Sequence, residues 1–407
     1  MTTNRREFLA ASLGASAAAM IPRSSSAAPA VAAEARLFQL DKVSTSPVRI
    51  AAIELLKSGG TYLVRSTSTD GAVGIAEPND RIRYLYPILQ QLVIPYFKGK
   101  DARDLESLVD GVYVHSSNYK LAGLALWCCV GWVEFSLFDM LGKIAKKSVG
   151  ELLGGVIRSE IPVYMSSMRR DTTPEQEVEW VGKRLEETGA KACKLKIGGR
   201  MSKNADASPG RTDRLIPLAR KTFGDSIAVM VDSNGSYDSA KAIEVGKMLE
   251  AHNVFFYEEP CPFEELEETK RVADALTIPV AGGEQDTSLP RFNWMIKNRV
   301  VDIVQPDLDY NGGFIRTARV ARMAEAAGMP ITPHGPQGGL STAYLVHFAS
   351  ATPNMGKFQE YGAAPRKRDT WFSPLLEVKN GVIKVPTGPG LGITIDPDFL
   401  RKAEAVK

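Results

Sequence analysis

From residue 161 the chain repeats one pattern, and this pattern constrains its fold more than any other feature. Eight short apolar runs occur: IPVYMSS (161–167), ACKLKIG (192–198), AVMVDSN (228–234), VFFYEEP (254–260), IPVAGGE (278–284), VDIVQPD (301–307), PITPH (330–334) and KFQEY (357–361). They have the length of strands, and several are rich in Val and Ile. Helical stretches separate them. In 238–251, for example, Ala242, Val245 and Leu249 fall at i, i+3 and i+7. One strand and one helix per about 25–35 residues is the rhythm of a (β/α) barrel. A doubly wound open sheet is the alternative, but no glycine-rich dinucleotide fingerprint follows any of the runs.

The runs end in ionisable residues. The second carries Lys194 and Lys196. The third, fourth and fifth carry Asp232, Glu258 and Glu284, and the sixth to eighth carry Asp307, His334 and Glu360. In a barrel these strand ends converge on one face, where active sites are built. The spacing agrees: Asp232 to Glu258, Glu258 to Glu284 and His334 to Glu360 are each 26 residues. Three converging carboxylates raise one another's pKa unless a cation joins them. A hard divalent ion such as Mg²⁺ fits, since it takes a few carboxylates and keeps positions for water and substrate. A single carboxylate would read as a surface ion pair, but three at equal spacing argue against that.

Lys194 and Lys196 are two apart on one strand and face the same side, while Leu195 and Ile197 point the other way. Two adjacent ammonium groups near a metal are expected to lower each other's pKa, so that one can act as a general base. Alone, such a pair would read as a solvated strand face. His334 is one of four histidines, with His115, His252 and His347. Asp307, one strand earlier, can orient its ring and raise its basicity, making a second acid/base. His347, within AYLVHFA, reads as a core histidine. Cys128, Cys129, Cys193 and Cys261 include no CxxC and read as small buried hydrophobes rather than a disulfide framework.

The 407 residues accommodate a barrel of about 250 residues plus a smaller unit. Residues 1–35 read as a cleavable signal: a basic start, a short apolar run to Met20, and Ala28-Pro29-Ala30. The order Arg5-Arg6-Glu7-Phe8-Leu9 resembles the twin-arginine export signal, which implies a periplasmic protein. No other segment is expected to cross a membrane, so the mature protein is expected to be soluble. Residues 36–160 read as an α+β capping unit. It has two strands around the turn Asp70-Gly71 and helices over 82–98 and 104–154, including a greasy run that reads as a buried helix and carries Glu134 and Asp139. Residues 161–361 are the barrel, and 362–407 should pack back on the cap. A net charge of +3 without a block of one sign argues against nucleic acid as the main partner.

The ordered set Lys194-Leu195-Lys196, Asp232-Ser233-Asn234-Gly235, Glu258-Glu259-Pro260, Gly283-Glu284, Gln305-Pro306-Asp307 with Gly312-Gly313, His334 and Glu360 resembles the enolase superfamily, in its mandelate racemase subgroup. The resemblance runs from about residue 37 to 400. It implies an α/β fold: a (β/α)7β TIM-like barrel with an N-terminal α+β cap completed by the C-terminal tail. It implies Mg²⁺ on Asp232, Glu258 and Glu284. Lys196 would be the base on one face, with Lys194 tuning it and touching the substrate carboxylate. His334 with Asp307 would be the acid/base on the other, and Glu360 would hydrogen-bond the enolate oxygen. The muconate lactonizing subgroup carries a lysine on the sixth strand, where this chain has Asp307. The implied reaction removes the proton α to a carboxylate of a small acid, with dehydration of an acid sugar to a 2-keto-3-deoxy acid foremost. Racemisation or epimerisation of a 2-hydroxy acid is the alternative, and a non-catalytic periplasmic binding protein is the reading from another class. Family members often form homo-oligomers. Specificity is expected from 40–48, 66–80 and 199–211. Arg169 and Arg170 could meet a distal carboxylate, but read first as a solvated loop.

Overall fold

The structure is a computed structural model that describes residues 36–335, 338–364 and 370–406. The signal reading of residues 1–35 lies outside the described residues. The chain opens with three antiparallel strands, β1 (Ile50–Ser58), β2 (Thr61–Ser68) and β3 (Val73–Ala76). The turn between β2 and β3 uses Asp70-Gly71, and Gly71 has the positive φ of 84° that such a turn asks of one residue. The helix Leu124–Ala145 lies against β2 and β3. Contact is close at Gly74, where the backbone oxygen of Ser136 occupies the place of a Cβ.

This helix corrects one expectation. Among the described residues it is long and apolar enough to cross a membrane, yet residues 126–142 are all buried inside the protein. A helix that is apolar all round is one that the core surrounds on all sides. Its two acidic residues are structural. Asp139 accepts from the backbone N–H of Ile75 (2.8 Å) and of Leu391 (2.9 Å), and pairs with Lys143 (2.6 Å). Glu134 accepts from the N–H of Ile315 (3.0 Å), at the start of the helix Phe314–Ala326, which has no side-chain cap of its own. The Glu134 side chain satisfies one of the orphan donors there.

The expected helix over 104–154 is broken. Leu105–Val114 is helical, but the segment after it turns through Ser116 and Ser117 at φ 49° and 60°. The Asn118 side chain donates to the Val112 carbonyl (2.9 Å), a local bond that competes with helix continuation. The stretch 82–98 is helical as far as Phe97, with a π turn over Leu89–Val93.

The barrel strands are β4 (Glu160–Ser166), β5 (Ala192–Lys196), β6 (Ala228–Asp232), β7 (Tyr257–Glu258), β8 (Val280–Gly282), β9 (Ile303–Val304) and β10 (Gln359–Gly362). All are parallel, in sequential order, and β10 pairs with β4. The run 330–334, expected as a strand, makes only isolated parallel bridges. Ile331 bridges Val304 and Met355, and His334 bridges Asp307. Pro330 and Pro333 supply no N–H, so a full ladder cannot form there.

Strand parity divides the side chains. Tyr164, Ala192, Met230, Phe256, Ala281 and Ile303 form a separate buried cluster, while Leu195, Ile197, Val229 and Val231 belong to the main core. Lys194, Lys196 and Asp232 share the parity of Ala192 and Met230, so they point inward above that plug. The apolar plug closes one end of the barrel and the charged layer occupies the other.

The tail divides rather than packing wholly on the cap. The β11 (Phe372–Ser373) and β13 (Thr394–Ile395) strands pair with each other, and β12 (Val382–Lys384) pairs antiparallel with β4 of the barrel. Only β14 (Glu404–Ala405) returns to β1, at Leu56↔Ala405.

Candidate active site

Parallel register carries the site. Lys196 pairs with Asp232 across β5 and β6, and Asp232 with Glu258 across β6 and β7, so three functional side chains stand in one row. Glu284 follows β8 by two residues. Ligand oxygens of Asp232, Glu258 and Glu284 all lie within 4.8 Å of one another, and the three residues are buried. Equal sequence spacing thus becomes equal height on neighbouring strands. The donor set is all carboxylate oxygen, which fits a hard divalent cation such as Mg²⁺. Burial first, then Asp232 and Glu284, push Glu258 up to about 8 against the pull of Lys194.

The lysines flank this row. Lys194 Nζ donates to both oxygens of Glu258 (2.6 and 2.8 Å) and pairs with Glu360 (2.8 Å). Lys196 Nζ pairs with Asp232. The expectation that the two ammonium groups lower each other's pKa does not hold for Lys194. Burial works to lower it, but Glu258 and Glu360 outweigh burial and hold it well above its ordinary value. The carboxylates facing it outnumber the one neighbouring ammonium.

His334 stands at the other end of the row. Its Nδ1 is 2.6 Å from Asp307, and its Nε2 is 3.5 Å from Glu284 and 3.9 Å from Glu360. Asp307 is itself held by the Tyr310 N–H (2.8 Å). Burial opposes the charged ring, but Glu284, Glu360 and Asp307 together raise His334 to about 10. Glu360 accepts from Ser166 Oγ (2.7 Å) and Gly335 N–H (3.0 Å). Burial works to raise its pKa, but Lys194 and His334 draw it down to about 2. All eight residues singled out from the strand ends therefore meet in one place.

Several neighbours were not singled out for a role by sequence reasoning. Ser166 anchors Glu360, and Gln305 Nε2 donates to Glu258 Oε2 (2.8 Å). Their signal was position alone, at the end of β4 and just past β9. Asp309 is buried and accepts from Trp132 Nε1 (2.8 Å) on the long cap helix. Burial, then Asp307, push Asp309 up to about 8. From the cap, Arg81 donates to Tyr310 Oη (2.8 Å), and the Tyr310 ring lies 6.1 Å from that of His334. Arg169 and Arg170 do lie in the loop after β4, but both are half-buried and held by partners. Arg169 stands over Trp180 and is 3.7 Å from Glu177, while Arg170 donates to Gly198 O (3.2 Å) and Asn234 Oδ1 (2.8 Å). The core reading of His347 agrees with its place: it is fully buried and accepts from Gly150 N–H (3.2 Å). All four cysteines are buried and free.

Residues 176–399 match the family model described as enolase C-terminal domain-like. The arabinonate dehydratase of Saccharolobus solfataricus is 30% identical over 81% of this chain and 86% of its own length. The D-galactarolactone cycloisomerase of Agrobacterium fabrum is 31% identical over 84% of this chain and 90% of its own. A Roseobacter denitrificans protein, solved as a candidate racemase, superposes with a TM-score of 0.83 at 37% identity, covering 88% of this chain and 99% of that one. With the barrel, the cap and the carboxylate row in place, the chain belongs to the enolase superfamily.

Proposed function

We propose that this protein dehydrates an acid sugar to a 2-keto-3-deoxy acid in a Mg²⁺-dependent reaction. Asp232, Glu258 and Glu284 would hold the ion. Bound there, it would supply positive charge beside the substrate carboxylate, where negative charge develops as the α-proton leaves. Lys196, at the Asp232 end of the row, takes that proton as the neutral amine. Lys194, held protonated, donates to the carboxylate end of the substrate. Glu360, fixed by Ser166 and Gly335, donates to the enolate oxygen in its protonated form. His334 gives its proton to the β-hydroxyl, which leaves as water, and the resulting enol becomes the 2-keto-3-deoxy acid.

The observation that carries this reading is the pairing at opposite ends of one carboxylate row. Lys196 stands at Asp232, and His334, braced by Asp307, stands at Glu284. Elimination needs a base and an acid at different places, and these two are so placed. The dehydratase activity of the arabinonate relative supports it. The second reading, a racemase or epimerase, is favoured by the Roseobacter denitrificans likeness. The same residues serve both, since His334 would then return a proton to the α-carbon. Export to the periplasm and homo-oligomeric assembly belong to the proposal as well.

The test is incubation with Mg²⁺ in D₂O against a panel of acid sugars and 2-hydroxy acids, followed by NMR and mass spectrometry. Loss of one water with a 2-keto-3-deoxy product is the expected result. Deuterium at the α-carbon without water loss would replace the dehydratase with a racemase or epimerase. No reaction with any acid, together with Mg²⁺-dependent binding of one, would favour a binding protein.

A further inference from the structure

Beside the carboxylate row lies a cluster of the opposite sign. Arg170 follows β4 and Arg200 follows β5. Both reach the same atom: Arg170 Nη2 is 2.8 Å from Asn234 Oδ1, and Arg200 Nη2 is 3.2 Å from it. The other Arg170 bonds go to the carbonyls of Gly198 (3.2 Å) and Asp232 (3.5 Å). Among the described residues, all the acceptors of these two side chains are uncharged. The adjacent Arg169, by contrast, does have a carboxylate, Glu177. A third guanidinium, the fully buried Arg211, donates to Thr172 O (2.8 Å) and Lys196 O (2.9 Å).

Two guanidinium groups converging on one neutral oxygen repel each other. An anion between them would relieve that repulsion and use donors that the amide oxygen cannot engage. The argument mirrors the one that calls for a cation among the three carboxylates. The location also matters. Asn234 N–H donates to Asp232 Oδ1 (2.7 Å), so the arginine pair stands immediately beyond the first residue of the row, at the mouth of the barrel.

We infer that Arg170 and Arg200 form an anion subsite for the distal carboxylate of a diacid sugar whose reacting carboxylate lies at the carboxylate row. This inference rests on the acid-sugar reading and narrows it to diacids. A monoacid sugar would place a neutral hydroxyl at the arginine pair and leave the repulsion in place.

The test uses the full chain with Lys196→Ala, so that bound acids do not turn over, saturated with Mg²⁺. Calorimetry would measure binding of matched six-carbon pairs that differ only at the distal end, such as galactarate with galactonate and glucarate with gluconate. For the pair that binds best, the diacid is expected to bind at least about tenfold tighter. That ratio should fall towards one in Arg170→Gln and in Arg200→Gln. Arg200 is exposed, so its replacement tests the idea even if the Arg170 variant folds poorly. Equal binding of diacid and monoacid, or a preference that survives both substitutions, would overturn the subsite and leave the acid-sugar reading standing. Failure of both classes to bind with Mg²⁺ would overturn the two together.

Discussion

At the residue scale, charge balance explains why each ionisable group sits where it does. The two lysines and His334 face Asp232, Glu258, Glu284 and Glu360 across a buried space. The proposed division of labour gives different outcomes for the two ends. Lys196→Ala should lower α-proton exchange by about 10²–10⁴-fold, the range that a general base contributes. His334→Asn should lower water loss by a similar factor of about 10²–10⁴ while α-deuterium exchange continues, because Lys196 still removes the proton. Proton NMR in D₂O reads both. If His334→Asn stops exchange and Lys196→Ala does not, the base and the acid must be interchanged. Ionisable residue types at strand ends were readable from the chain. The direction of the Lys194 shift was not, because it depends on Glu258 and Glu360, from strands far apart in sequence, meeting one ammonium group.

At the element scale, the cap and barrel are joined by buried polar groups on one apolar helix. Asp139 holds β3 through Ile75 and the tail through Leu391, so one carboxylate ties three segments. Asp139→Ala would leave both N–H groups and the Lys143 ammonium without that partner. It should destabilise the protein by about 3 kcal/mol, seen as a lower urea midpoint. An unchanged midpoint would mean that water replaces the carboxylate at no cost. Gly74→Ala is also expected to lower the midpoint, because backbone of the same helix occupies the place of a Cβ. The greasy run was legible as a buried helix and its two acids as anomalies. Their partners were not, since Leu391 lies 252 residues from Asp139 and Ile315 lies 181 from Glu134.

At the scale of the whole molecule, the fold is coupled to solution conditions at two places. His347 is buried where the helix Thr342–Ala351 meets Gly150 and the Leu391 carbonyl (3.0 Å). Burial lowers its pKa to about 4, against the raising effect of the Leu391 carbonyl. The unfolded chain, with an ordinary value near ~6.5, then binds a proton that the folded one refuses. Stability from this group is complete above that value and is lost as pH falls to about 4, in total by roughly 3 kcal/mol. His347→Gln should flatten the dependence of the urea midpoint on pH in that window, and an unchanged slope would assign the effect to other groups. The second coupling is to the cation. Mg²⁺ at about 100 times its Kd should stabilise the fold by about 2.7 kcal/mol, read as a rise in Tm that Asp232→Asn diminishes. A wild-type Tm indifferent to Mg²⁺ would count against the carboxylate row as its site.

By itself, the sequence determined the barrel, through strand and helix periodicity, and the membership of its charged face, through the equal spacing of Asp232, Glu258 and Glu284. Both are local or regularly repeated properties, and a repeating fold turns equal spacing into equal height. Only the tertiary structure decided the rest. It gave the two acids of the greasy helix their distant partners, and sent β12 to the barrel while β14 went to the cap. It also brought Arg170 and Arg200 onto one oxygen. These are contacts between segments with no common period, and their energies depend on which charges and backbone groups meet once the chain has closed.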